Sequence, residues 1–300
     1  MKDSPKQISK NLLQIGATGK IKSMWVNGGL PGAKLKFKQK SDSMSEIQTK
    51  TNYMIQMWLD SRQLMQLGRM LHLPLKKVGN NYLVHCALSE LFQDQAPKPF
   101  SVEDHHRQIA DYNGQAIRVL CYSELDWETL QNLAKGFASP TIYEIVDWER
   151  MASKPMPAEF PDGMELGFEL RVCPVVRKAS DGPKWRKGQE LDVFLSKVWE
   201  IDDKTVEVDR EKTYKEWLIH YFEKQHSADL ISLSVKRFSI ERMSRRNHQQ
   251  NRKVKIIQRP DVTFTGTLKI RNGEEFKELL YSGIGRHKSF GFGMLKIRRA

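Results

Sequence analysis

The chain is poor in the features that would cross-link it, anchor it in a bilayer or build a metal centre. Its 300 residues contain three cysteines, Cys86, Cys121 and Cys173. Their number is odd and none has CxxC spacing, which indicates neither a disulfide framework nor a thiolate zinc site. A reducing, cytoplasmic setting fits that usage. No apolar run approaches the roughly 20 residues that a transmembrane helix needs. The opening Met1-Lys2-Asp3-Ser4-Pro5 leads into no apolar signal-peptide core, so no membrane association is expected.

Two stretches of the C-terminal third are scarce in acid. Residues 234–259 hold nine Lys and Arg against one Glu, and residues 284–300 hold five against none. Together these two stretches equal the whole formal net charge of +13. The first fifty residues add ten Lys against three acids, and the remainder is acidic enough to balance them. Two concentrated basic segments close together in one C-terminal domain predict a polyanionic partner, because phosphates neutralised by Lys and Arg release condensed counterions.

What is present alternates between strand and helix patterns. Residues 1–52 are Lys-rich and broken by Gly28-Gly29-Leu30-Pro31-Gly32, and are read as a basic N-terminal extension. Strands are expected at 53–59, 116–122 and 141–147, with helices at 82–92 and 127–137. The Pro-rich stretch 151–163 reads as a linker. Beyond it come a strand at 165–172, a helix at 214–225, strands at 231–240 and 254–268, a helix at 274–281 and a strand at 294–298. Each half can be drawn as β-α-β-β-α-β. The expected class is therefore α+β, with two tandem ferredoxin-like (RRM-like) domains over 53–150 and 164–300.

Three segments carry candidate chemistry. The first is a basic hairpin formed by 234–241, 252–258 and the polar turn between them. Arg242, Arg245, Arg246, Arg252, Lys253 and Lys255 are its cations, suited to tracking phosphates along an RNA stem. The second is the terminal loop, with Gly283, Gly285, Gly291 and Gly293 around Arg286 and Lys288. Glycines let backbone N–H groups turn toward an anion without Cβ obstruction. The loop lacks the Gly-Lys-Ser/Thr ending of a P-loop and precedes an apolar strand rather than a helix. Lys296, on that strand, is expected to add only one long-range charge.

The third segment is the helix at 82–92. Val84, Ala87, Leu88 and Leu91 fall at i, i+3, i+4 and i+7 and form its buried stripe. Asn80 or Asn81 supplies a plausible N-cap. At 100° per residue Tyr82, His85 and Ser89 lie away from that stripe, where they should reach solvent or a ligand. Tyr and His three residues apart offer two titratable groups to one phosphodiester, one to take a proton and one to give it. No Asp/Glu cluster with metal-ligand character appears near them, so no metal or other cofactor is expected.

Three blocks resemble the CasE (Cse3) family of CRISPR precursor-RNA endoribonucleases. They are Tyr82-Leu-Val-His85-Cys-Ala-Leu-Ser-Glu-Leu-Phe92, Phe168-Glu-Leu-Arg171-Val-Cys-Pro174, and Val262-Thr-Phe-Thr-Gly266 running through Gly283-Ile-Gly285-Arg-His-Lys288-Ser-Phe-Gly291-Phe-Gly293-Met-Leu295. The resemblance covers roughly residues 53–300. It implies two tandem ferredoxin-like domains and His85 as principal catalyst with Tyr82 assisting or positioning. It further implies cleavage at the base of a CRISPR repeat stem-loop through attack by a ribose 2′-OH. The product RNA would be retained with the other subunits of a Cascade-type complex. Residues 1–52 have no counterpart in that family, and the 62–79 connection is long for it. A non-catalytic RNA-binding subunit of the same fold and a DNA-binding adaptor are the rival readings.

Overall fold

The computed structural model describes residues 51–103, 116–201, 205–246 and 254–300, all of them within one unit, Gln48–Ala300. The N-terminal extension, with Arg252 and Lys253 of the hairpin, lies outside the described residues.

Strand β1 (Tyr53–Asp60) buries Ile55, Met57 and Leu59 on one face, as the period-2 pattern requires. Its last residue, Asp60, turns the chain into α1 (Ser61–Met70) by accepting hydrogen bonds from the backbone N–H groups of Arg62 at 2.7 Å and Gln63 at 3.0 Å. This helix occupies much of what reads in sequence as a plain connection; Leu64 and Leu67 are its buried positions. A 3₁₀ turn at Leu75–Lys77 leads into α2 (Asn80–Phe92). Its N-cap is Gly79, without a side-chain cap, rather than Asn80 or Asn81.

The sheet is completed by β2 (Phe100–Glu103), a strand the sequence pattern did not signal, then β3 (Ala116–Ser123) and β4 (Ala152–Pro155), with α3 (Trp127–Phe137) crossing between β3 and β4. The strand expected at 141–147 is instead a helical turn, α4 (Pro140–Tyr143), followed by a single bridge from Val146 to Leu59. Pro140 sits at its first turn, where a missing N–H costs nothing. The closing strand comes from the stretch read as linker, where Ala152–Pro155 pairs with β1 at the sheet edge. Pro155 is tolerated there because an edge strand need not donate from every N–H.

The second half repeats the plan with β5 (Glu165–Val172), an inserted pair β6 (Val175–Arg177) and β7 (Glu190–Asp192), and two helices, α5 (Val193–Glu200) and α6 (Arg210–Gln225). Next come the long strands β8 (Ala228–Arg246) and β9 (Val254–Ile270), then α7 (Gly273–Ser282) and β10 (Leu295–Arg299). The two main sheets run β2-β3-β1-β4 and β10-β5-β9-β8. With paired strands antiparallel in both, this is the ferredoxin-like order twice over.

Each sheet packs its own helices. Ile55, Met57, Leu59, Val84, Leu88 and Leu91 belong to the first core, and Phe168, Leu170, Tyr214, Phe222, Phe264 and Phe276 to the second. Strand β3 joins them, since Ile117, Val119 and Cys121 enter the first core while Leu120 and Tyr122 on its other face enter the second. Tyr122 donates its hydroxyl to the carbonyl of Leu295 at 2.8 Å. A third cluster unites Leu73, Tyr82 and Leu83 from the first half with Cys173, Val175, Met243 and Phe292 from the second.

Candidate functional site

The predicted stripe of α2 is correct: Val84, Ala87, Leu88 and Leu91 are all buried. Its opposite face does not simply meet water. Tyr82 is only 7% exposed and lies in the cluster between the two halves, which corrects the expectation that it reaches solvent. The periodicity of one helix could not show that the C-terminal half packs onto that face.

His85 remains partly exposed and lines a cleft of about 180 Å³ with Ser89, Gln93, Asp94, Lys98 and Ser289 among its walls. The glycine loop closes over it. Phe290, in a 3₁₀ turn at Lys288–Phe290, lies 4.5 Å from the His85 ring, centroid to centroid. The same phenyl ring lies near-parallel to Tyr82 at 5.9 Å, and Tyr82 and His85 are 5.9 Å apart. Burial lowers the His85 pKa from its ordinary value, so the neutral imidazole dominates at neutral pH.

A buried ionic knot holds that loop in place. Arg171 on β5 donates from Nε and Nη2 to the two carboxylate oxygens of Asp261, both at 2.8 Å. It donates again to Glu241 at 3.1 Å and to the carbonyl of Gly291 at 3.1 Å, while its guanidinium lies 4.4 Å from the Phe292 ring. Its backbone carbonyl also accepts from Gly293 N–H at 2.7 Å. Asp261 is 1% exposed and takes further bonds from Arg237 and Ser239. Removing one partner from such a buried pair typically costs about 3–5 kcal/mol. Arg171 lies in the 168–174 block that carries the family resemblance, but its partner Asp261, 90 residues away on β9, leaves no local signal in the sequence.

All four loop glycines have positive φ. Two of them show why a side chain is excluded. A Cβ on Gly291 would stand 2.7 Å from Asn81 Oδ1, and one on Gly293 would stand 2.4 Å from the Ile284 carbonyl oxygen. The loop is thus pressed against the start of α2. Gly283 and Gly293 direct their N–H groups inward, to Leu279 and Arg171. Gly285 and Gly291 are the loop glycines whose N–H groups have no backbone partner among the described residues.

The loop cations divide. Arg286 pairs with Glu190 at 2.5 Å, and the same carboxylate receives His287 at 3.0 Å and Arg259 at 3.2 Å. Burial pushes the Glu190 pKa up, but His287, Arg286 and Arg259 outweigh it and hold the group below the usual carboxylate range. Lys288 is half-buried, its pKa lowered by that burial, and has no ion pair among the described residues. Glu190 belongs to the β6–β7 insertion, for which the sequence offered no signal. Lys296 corrects its expectation, because it bonds Glu103 at 2.9 Å and Glu169 at 2.6 Å and so ties β2 to β5.

The predicted hairpin exists as the ribbon of β8 and β9, paired to Arg246 opposite Val254. Beyond the β5 pairing, which ends at Val172 opposite Val262, the two strands continue as a two-stranded extension. Arg245 stands opposite Lys255, and Arg242 is exposed near the base. That base is docked, since Met243 is buried against Leu73, Tyr82 and Leu83 and Gly79 N–H bonds the Arg242 carbonyl at 3.4 Å. The structure therefore brings Tyr82, His85, the glycine loop and the foot of the ribbon around one end of α2. No group of three His, Cys, Asp or Glu side chains suited to a metal ion occurs among the described residues, and no helix among them is long and apolar enough to cross a membrane.

Comparison with known proteins bears on this arrangement. A family model described as CRISPR associated protein matches residues 52–299. The chain is similar in structure to the CRISPR endoribonuclease Cse3 bound to a 19-nucleotide RNA, with TM-score 0.53 and 19% identity over 82% of this chain and 99% of the other. It is similar to Thermus thermophilus Cse3 bound to an RNA representing a pre-cleavage complex, with TM-score 0.51 and 18% identity over 83% and 99%. A chain of a CRISPR RNA-guided surveillance complex matches with TM-score 0.50 and 16% identity over 83% and 100%. Likeness at these identities establishes a shared fold. Comparison with curated protein sequences gave no match.

Proposed function

The chain belongs to the CRISPR associated protein family, and from that premise we propose that it is a metal-independent endoribonuclease that cuts CRISPR repeat transcripts at the base of a stem-loop. The observation that carries this reading is His85, set in a cleft at the junction of the two halves and framed by the glycine loop. Structural relatives that are RNA-bound endoribonucleases support it.

In the proposed reaction the ribose 2′-oxygen attacks the adjacent phosphorus. The O2′–P bond forms as the P–O5′ bond breaks, leaving a 2′,3′-cyclic phosphate and a 5′-hydroxyl. One proton must leave the nucleophile and one must reach the leaving oxygen. His85 is the group whose pKa allows exchange near neutrality, and a positioned acid or base of this kind contributes about 10²–10⁴ in rate. Tyr82, held between the halves and facing Phe290, positions the site. Arg242, Arg245, Arg246, Arg252, Lys253 and Lys255 of the ribbon, with Gly285, Arg286 and Lys288 of the loop, form the proposed RNA-binding surface, whereas Gly283, Gly291 and Gly293, expected from the sequence to present their N–H groups to the RNA, are buried and shape the loop instead. The product stays bound, within a Cascade-type assembly whose other subunits are the protein partners.

The test is a cleavage assay on repeat RNA in EDTA. Wild-type protein is expected to cut, His85→Ala to lose about 10²–10⁴ in rate with affinity kept within a few-fold, and a 2′-deoxy substitution at the scissile nucleotide to abolish cutting. Cleavage that survives both changes would overturn the mechanism and favour a non-catalytic RNA-binding subunit.

A further inference from the structure

The ion pairs of the molecule separate its cations into two populations. Arg171, Arg237, Arg259, Arg286, Lys236 and Lys296 are each matched to a carboxylate. Lys76, Lys77 and Arg242 are exposed and have no ion pair among the described residues. These three converge on one cleft of about 520 Å³, whose walls are the 3₁₀ turn with Val78 and Gly79 on one side and Ile240, Glu241, Arg242 and Gln258 of the ribbon on the other. The one acid there, Glu241, turns Oε2 to Arg171 at 3.1 Å and is neutralised from behind. The two walls are stitched together by the bond from Gly79 N–H to the Arg242 carbonyl.

We propose that this cleft is a phosphate subsite for the RNA backbone, in which the Lys76-Lys77 turn of the N-terminal half and Arg242 of the ribbon grip one side of the bound strand together. The inference rests on the RNA-processing reading above and extends it to residues outside the hairpin and the glycine loop. Three exposed, unpaired cations around a concave surface are complementary to a multivalent anion. A polyanion gains affinity from each of them by releasing counterions, whereas a neutral partner would leave the charges uncompensated. Position sets the register. Asn80 and His85 are five residues apart on α2, about 8 Å at the helical rise of 1.5 Å per residue. A phosphate gripped beside the start of α2 fixes the strand relative to His85 on the same helix, so the subsite selects which linkage reaches His85.

The experiment compares wild-type protein with Lys76→Ala/Lys77→Ala on repeat stem-loop RNA and on copies carrying one neutral methylphosphonate at successive linkages near the cut. A charge-matched control, Lys135→Ala/Lys224→Ala, removes two exposed lysines elsewhere. The Lys76/Lys77 variant is expected to fold normally and to bind the unmodified RNA about ten-fold more weakly. Its logarithmic salt slope should fall by about 0.7–0.9 for each phosphate it no longer neutralises, while the control changes less than two-fold. One methylphosphonate position should weaken wild-type binding by a similar factor and leave the variant unaffected, because the variant does not grip that phosphate in the first place. Unchanged affinity and slope, or losses that add at every linkage, would overturn the subsite. Wild-type protein that binds the RNA without cutting it removes the endoribonuclease reading alone, with the binding data still deciding the subsite; no binding at all overturns both.

Discussion

At the scale of single residues, the informative neighbour is the Phe290 ring, 4.5 Å from His85. Burial is what lowers the His85 pKa, and Phe290 supplies part of that burial, while Asp94 and Lys98 are among the other residues that line the cleft. Phe290→Ala admits water, so the imidazolium is better solvated and the pKa rises toward the ordinary value of about 6.5. The limb of the pH–rate profile governed by His85 is expected to move to higher pH, whether the group takes or gives the proton. Single-turnover cleavage across pH 5–9 measures it, and a downward or absent shift would show that Phe290 does not set the His85 environment. Sequence displayed Phe290 only as one apolar residue among glycines. Its role comes from a loop folding back across some 200 positions of chain onto α2.

At the scale of elements, the glycine loop is a tight connection whose four positive-φ glycines do unequal work. Gly293 has a backbone carbonyl 2.4 Å from any added Cβ, whereas at Gly285 the nearest atom is on the Trp217 ring at 3.3 Å. A side chain can shift and a hydrogen-bonded backbone cannot. Gly293→Ala is therefore expected to lower the unfolding midpoint and cleavage far more than Gly285→Ala, whose cost is mainly the positive φ, about 1 kcal/mol. Thermal unfolding of the two variants decides it, and equal midpoints would mean that the loop relaxes freely. The inserted β6–β7 pair acts on the same loop from the other side, through Glu190 and its three cationic partners.

At the scale of the molecule, the described residues behave as two sheets joined through shared side chains. Lys296 bridges Glu103 and Glu169, and although burial pulls its pKa down, bonds to those two carboxylates outweigh it and raise the value. Tyr122, whose pKa burial raises strongly, fastens β3 to β10. Combining Lys296→Ala with Tyr122→Phe is expected to lower stability by about 1–3 kcal/mol, since Tyr122→Phe removes the hydroxyl donor from the buried Leu295 carbonyl, while Lys296→Ala removes a partly buried tie between Glu103 and Glu169, which keep Arg118 and Lys236. Calorimetry of the wild type should show one transition for the two halves, and of the double variant an earlier or split one. An unchanged midpoint would mean that the apolar cluster around Tyr82 and Phe292 suffices to hold them.

The sequence by itself determined the element plan of both halves, the buried stripe of α2 and the concentration of charge in the ribbon and terminal loop, because periodicity and charge are local properties of the chain. It misplaced β4 and passed over β2, α1, the β6–β7 pair and α5. The first pairs at a sheet edge despite its proline, the second is only four residues long, and the third begins on a cap supplied by the end of a strand. Tertiary structure alone decided that Tyr82 is buried, that Arg171 meets Asp261, that Glu190 occupies Arg286, and that Lys76 and Lys77 face Arg242. Each of these depends on which distant segment arrives at a given surface, and that is set by the packing of one sheet against the other, which no window along the chain contains.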